Sequence, residues 1–299
     1  RCQGGNKVKK LFAVLLTVCL MLGMFSACSN GKDTVDDPAN TGAENGLSVS
    51  KEPIKDLVTY VVASQEMSTF NILYSQSTNE TQVLTNCIDG LLSHDNYGNL
   101  VPALAESWES DDGGLTWTFH LRKGVKFHDG TDFNAEAVKV NFDRVTNPEN
   151  KLKRYSLYSN IAKTEVVDDL TAKVTLKTPF SPFINQLVHP SAVMISPTAL
   201  KKYGKDIMFH PVGTGPYKFD EWVEGEYCRL VKVDDYWGND LPADDNLAPG
   251  VAETIEFRPY IEASSRVMAL QAGEIDVCVN PPINELQYLE DGDNITVYE

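Results

Sequence analysis

Leu100-Val-Pro-Ala-Leu-Ala-Glu-Ser-Trp108, followed by Gly114-Leu-Thr-Trp-Thr-Phe-His-Leu-Arg-Lys-Gly-Val-Lys-Phe-His-Asp-Gly-Thr131, is the stretch that decides the fold. Leu115, Trp117, Phe119 and Leu121 alternate with Thr116, Thr118 and His120, the period of a half-buried strand. Trp108 and Trp117 carry large apolar surface suited to a core. Lys123-Gly124 and Asp129-Gly130 supply turn geometry between short strands.

Outward from that stretch, strand and helix patterns interleave. Asn134 caps a helix whose inward face is Ala135, Val138, Phe142 and Val145. Ala172, Val174 and Leu176 alternate as in a second strand, and Tyr217 to Trp222 reads as a third, entered by a rigid bend at Gly213, Gly215 and Pro216. That Gly-x-Gly is not a phosphate loop, because no helix start follows it. Upstream, Leu57 to Ala63 reads as a buried strand. Asn79 to Leu92 reads as a helix with Val83, Cys87 or Ile88, and Leu91 on one face. Downstream, Glu262 to Ala272 is helical, with Gly273 where a left-handed cap belongs. The alternation predicts an α/β protein. Asn294 to Glu299 reads as a strand with neither a partner nor a closing helix, so the chain is expected to be truncated.

The chain has 299 residues and a net charge of −16, enough length for two domains and too acidic for phosphate-backbone recognition, so nucleic acid is not an expected partner. Beyond Cys28 the cysteines are Cys87, Cys228 and Cys278. Their odd number and wide spacing imply neither a disulfide framework nor a metal site; one pair bridging and three buried free thiols both stay open.

Lys7, Lys9 and Lys10 precede an uncharged apolar run from Leu11 to Phe25, shorter than the ~20 residues of a spanning helix. The pattern predicts an export signal over residues 1–27. Phe25-Ser-Ala-Cys28 looks like the lipobox of bacterial lipoproteins, with Phe25 where leucine is usual. The resemblance implies a diacylglyceryl group on the Cys28 sulfur and an extracytoplasmic, membrane-tethered body. Residues 28–55 are polar and too poor in apolar side chains to fold, and they form a tether of about 30 Å mean span.

Three segments together resemble the extracellular solute-binding proteins of family 5, the peptide/nickel-binding subunits of ABC importers. They are the opening stretch, Pro211-Val-Gly-Thr-Gly-Pro-Tyr217 with Asp235-Tyr-Trp-Gly238, and Arg266-Val-Met-Ala-Leu-Gln-Ala-Gly-Glu-Ile-Asp-Val277. The resemblance runs from Leu57 to Glu299 and implies a periplasmic-binding-protein type II-like α/β fold of cluster C. Lobe I would be residues 56–90 and 208–276, an extra inserted domain 91–207, and the start of lobe II 277–299, with most of that second lobe missing. It implies capture of short peptides for an ABC permease, with the membrane reached through the lipid anchor and the protein monomeric. A nickel chelate, glutathione or another small solute is the alternative ligand, and a peptide-signal receptor the alternative role.

The resemblance also implies candidate contacts. Strand ends of open α/β sheets face the binding crevice, so the loop Ser64 to Glu80 offers Tyr74, Ser77, Thr78 and Thr81. Tyr155 and Tyr158 lie where related peptide binders set a tyrosine against the ligand, or they pack the inserted domain. Asn280, Pro281 and Pro282 follow the crossing strand. Nickel-chelate binders carry an arginine near His189-Pro-Ser-Ala-Val193; this chain has none there, although Arg154 is nearby.

No enzyme is expected. His94, His120, His128, His189 and His210 lack zinc-site spacing, and Gly-x-Ser-x-Gly, Ser-x-x-Lys and His-Glu-x-x-His are absent, so no cofactor, metal or catalytic residue is assigned. A secreted hydrolase is the remote rival.

Overall fold

The computed structural model describes residues 57–62, 78–110, 112–242, 245–290 and 295–297. The expected leader, Cys28 and the expected tether lie outside them. In chain order the elements are β1 (Leu57–Val62), α1 (Thr78–Leu84), β2 (Leu92–His94), β3 (Leu100–Pro102), β4 (Ala105–Glu109), β5 (Thr116–Leu121), α2 (Ala135–Thr146), α3 (Tyr155–Tyr158), β6 (Ile161–Asp168) and β7 (Thr171–Leu176). There follow α4 (Phe183–Gln186), α5 (Pro197–Tyr203), β8 (Tyr217–Val223), β9 (Tyr227–Lys232), β10 (Thr254–Pro259), α6 (Ala263–Gln271), β11 (Val277–Cys278) and α7 (Ile283–Glu290).

The opening stretch forms the centre of a four-stranded antiparallel sheet ordered β4-β5-β7-β6. Trp117 pairs with Val174 and Phe119 with Ala172, so the apolar side chains of both strands share one face. Helix α2 covers it. Asn134 Oδ1 accepts from the Ala137 amide at 3.1 Å, and the predicted face of Ala135, Val138, Phe142 and Val145 is buried. This core extends through Phe183, Leu187 and Met194.

A five-stranded mixed sheet, ordered β11-β1-β10-β9-β8, carries a second core. β1 runs parallel to β10 from Leu57 opposite Thr254 to Val62 opposite Pro259, and parallel to β11 at Tyr60–Val277 and Val61–Cys278. β8 and β9 add antiparallel strands. Val83, Leu84, Cys87, Ile88, Ile195, Ala199, Ile207, Tyr217, Cys228, Leu230 and Phe257 pack together. The chain thus leaves the first core at Met194 and joins the second at Ile195. Phe257 faces this core, and its neighbour Glu256, on the other face by strand alternation, is held by Arg229 and Arg258.

Two elements depart from the sequence reading. Helix α1 stops at Leu84, short of the expected Leu92, because the chain turns so that the carbonyls of Asn86 and Cys87 accept from the amides of Tyr217 and Gly215, at 3.0 and 2.9 Å. Ile295–Val297, read as part of a strand, carry none; a strand needs a ladder partner, and among the described residues they have none. Cys87, Cys228 and Cys278 are free thiols, with no bridged pair; Cys87 and Cys228 are buried as expected of core thiols, while Cys278 is only half-buried.

Candidate ligand cleft and its supports

β1, β10 and β11 are parallel, so their carboxyl ends share one sheet edge, the side on which open α/β sheets bind ligands. β10 leaves the sheet at Tyr260-Ile261, β11 at Val279-Asn280. α6 lies between them in sequence, and its Arg266 turns back to that edge. Nη1 donates to the Tyr260 carbonyl at 2.7 Å and the Ile261 carbonyl at 3.3 Å; Nη2 donates to the Asn280 carbonyl at 3.2 Å. Arg266 is 4% exposed, and its Nε–H is buried with no hydrogen-bond partner. Asn280 has φ 50°, a left-handed conformation that asparagine tolerates better than most residues, and it points its carbonyl at the guanidinium. Burial pushes the Cys278 thiol up, with Arg266 acting in the opposite direction.

A second polar centre lies at Asp89, where the two cores meet; its partners Thr214 and Trp237 stand just before β8 and just after β9, toward the start of β10 and away from the strand exits. Asp89 is 4% exposed, and its Oδ2 accepts from Thr214 Oγ1 at 3.0 Å and from Trp237 Nε1 at 2.8 Å. Its backbone carbonyl accepts from Met194 of the first core. Burial pushes the carboxyl up to about 6, against the two hydrogen bonds. The Arg122 guanidinium lies 4.7 Å above the Trp237 ring. Gly213 and Gly215 are demanded by space: an added Cβ would stand 2.4 and 2.6 Å from the Cys87 backbone. His128 closes the arrangement, its amide donating to Gly213 and its Nε2–H to Gly215, and burial holds its pKa below the ordinary value. A hollow of about 140 Å³ beside Asp89, lined by Ser93, His189 and Asn246 among others, has room for several waters. It falls short of the roughly 300–1,000 Å³ of ligand pockets.

Of the expected contacts, Tyr74 and Ser77 lie outside the described residues. Thr78 opens α1, and Thr81 is half-buried within it. Tyr155 is half-buried in α3. Tyr158 is 1% exposed in the first core, its hydroxyl 2.8 Å from Ser191 Oγ, and burial pushes it up to about 12. Ser191 Oγ also meets His189 Nδ1 at 2.8 Å. Asn280, Pro281 and Pro282 stand at the strand-exit edge; Thr81, Tyr155 and Tyr158 belong to other elements. Sequence reasoning passed over Asp89 and Arg266. For Arg266 a signal existed, a lone cation among the apolar positions of a helix; for Asp89 there was none.

The fold has close likenesses among solved structures. DppA of Helicobacter pylori, in complex with the peptide STSA, superposes with a TM-score of 0.71 at 28% identity over 82% of this chain and 50% of that one. NikZ of Campylobacter jejuni, in complex with Ni(L-His), gives 0.69 at 25% identity over 80% and 46%. These define the class, an α/β protein of the periplasmic-binding-protein type II-like fold, as the sequence predicted. Residues 99–299 match the model of bacterial extracellular solute-binding proteins, family 5, middle region, and the chain belongs to that family. Among curated relatives, the glutathione-binding protein GsiB of Pectobacterium atrosepticum is 46% identical over 77% of this chain. GsiB of Shigella flexneri serotype 5b is 45% identical over 81%. The chain spans 44–45% of the length of these relatives.

Proposed function

We propose that this chain contributes the first lobe and the inserted domain of an ABC-importer substrate-binding protein that captures a short peptide outside the membrane, glutathione being the leading candidate. In this reading lobe I comprises residues 56–90 and 208–276, the insert 91–207, with α5 packing back on the lobe I core, and the opposite lobe begins at 277. Cys28 carries the lipid, the polar segment after it is the leash, and a monomer delivers its solute to permease subunits. The observation that carries the reading is the 45–46% identity to two glutathione-binding proteins over 77–81% of this chain. Tyr74, Ser77, Thr78, Thr81, Tyr155 and Asn280 are proposed to line the solute, and Tyr158 to back the wall they form. Binding rests on desolvated backbone hydrogen bonds and lobe closure, without covalent chemistry.

A nickel chelate or other polycarboxylate is the second reading, favoured by Arg154. Its Nε is buried without a hydrogen-bond partner, and the His189 pKa is lowered first by burial and then by the Arg154 charge. Calorimetry of the full-length protein against glutathione, glutathione disulfide, a neutral tripeptide and nickel–histidine separates the two. Tightest binding of glutathione supports the first; binding of nickel–histidine alone replaces it with the second; heat from none of the four sinks both.

A further inference from the structure

The crossing strand β11 has two residues, and its ladder consists of the pairs Tyr60–Val277 and Val61–Cys278. The apolar packing beside it is equally slight: Ala269 and Ile275, with Tyr260, Leu270 and Cys278 against them. So short a ladder and so small a core hold a chain exit weakly. The third tie is polar. One guanidinium gathers carbonyls from both exits, Tyr260 and Ile261 on one side and Asn280 on the other. A planar fork meets divergent carbonyls in a fixed geometry, which a lysine's single ammonium does not. The guanidinium is 4% exposed, it pairs with no carboxylate within ion-pair distance among the described residues, and its Nε–H stays unmatched. A hydrocarbon side chain would fill the same space without that desolvation cost. What it would not do is fix the two exits to each other.

We propose that Arg266 is the positioning residue of the hinge: it locks the exits of β10 and β11 together, so that lobe movement is confined to residues beyond Asn280. This rests on the two-lobe reading above. Arg266 touches no solute. It limits the range of ligand-free lobe orientations, and so the ordering that closure must impose. Its removal therefore weakens every ligand by the same factor.

The test uses the full-length protein with R266Q, R266K and, because loss of a buried arginine threatens folding, N280V. A β-branched residue is disfavoured at φ 50°, so N280V swings the carbonyl away and leaves the guanidinium in place, while N280G keeps that φ and the carbonyl, removes the side chain proposed to face the solute, and serves as the reference for N280V. Affinities for glutathione, glutathione disulfide and a neutral tripeptide are expected to weaken by one common factor of about three to ten in R266Q relative to wild type and in N280V relative to N280G. R266K recovers part of the loss. Spin-label distances between the lobes, taken without ligand, broaden in the same order. Affinities within twofold of these references alongside a lowered Tm overturn the proposal, leaving a merely structural arginine. So does loss of one ligand with the others retained, which marks a contact residue. Wild type binding none of these solutes refutes the function proposed above, while the ligand-free distances judge the hinge independently.

Discussion

Asp89 and Arg266 are both charged and both 4% exposed, and the chain handles them in opposite ways. Asp89 meets neutral side-chain donors, Thr214 and Trp237, at the seam between the two cores. Arg266 meets backbone carbonyls at the free edge of one sheet. A carboxylate can discharge by taking a proton; a guanidinium cannot. The seam therefore responds to pH and the strand-exit edge does not.

Four substitutions probe that contrast. Gly213→Ala drives a Cβ into the Cys87 carbonyl at 2.4 Å, where backbone cannot yield, and should cost about 3 kcal/mol or more in urea denaturation. A midpoint equal to wild type would show that the seam is looser than described. Trp237→Phe removes a donor to Asp89 and leaves a smaller ring under Arg122, for about 2 kcal/mol. The loss should be greater at pH 8 than at pH 5, since the ionised carboxylate needs the donor more.

Asp89→Asn isolates the titration. The folded carboxyl is raised from 3.8 to about 6, so the fold binds this proton more tightly than the unfolded chain does. Its favourable contribution is complete below pH 3.8 and is lost as pH rises through 6. Between pH 5 and pH 8 the wild type should lose about 1.5 kcal/mol relative to Asp89→Asn. Parallel stability curves for the two proteins would dismiss the pH-responsive seam. Smallest is Tyr158→Phe, which removes a hydroxyl bonded to Ser191 in the first core and should cost about 1 kcal/mol with ligand affinity unchanged. A weakened solute affinity would move Tyr158 from the wall's backing to the cleft.

The sequence made periodic features legible. Helix α2 with its Asn134 cap, the alternation of β5 and β7, and Gly273 at φ 72° after α6 were all readable, because each depends on neighbours a few residues away. The early end of α1 was not, since the carbonyls of Asn86 and Cys87 are claimed by Tyr217 and Gly215, about 130 positions along the chain. Asp89 looked like one acidic residue among many, as Thr214 and Trp237 stand 125 and 148 positions away. For the candidate site, the apolar run from Leu57 to Ala63 located β1, which ends at the cleft edge, but gave no sign of which polar group ties that edge together. Tyr158 was left between two roles because a tyrosine in a short helix carries no periodic signature of burial.

The place of β1 has a consequence for how the chain reaches this state. Its six residues, Leu-Val-Thr-Tyr-Val-Val, lie in the interior of the sheet, yet both pairing partners arrive about 200 positions later. The four-stranded sheet needs only residues 105–176 and can assemble while β1 waits. During synthesis an apolar, β-prone segment is thus left without its partners until about 200 further residues have emerged, which makes late closure the slow step and early self-association the principal hazard.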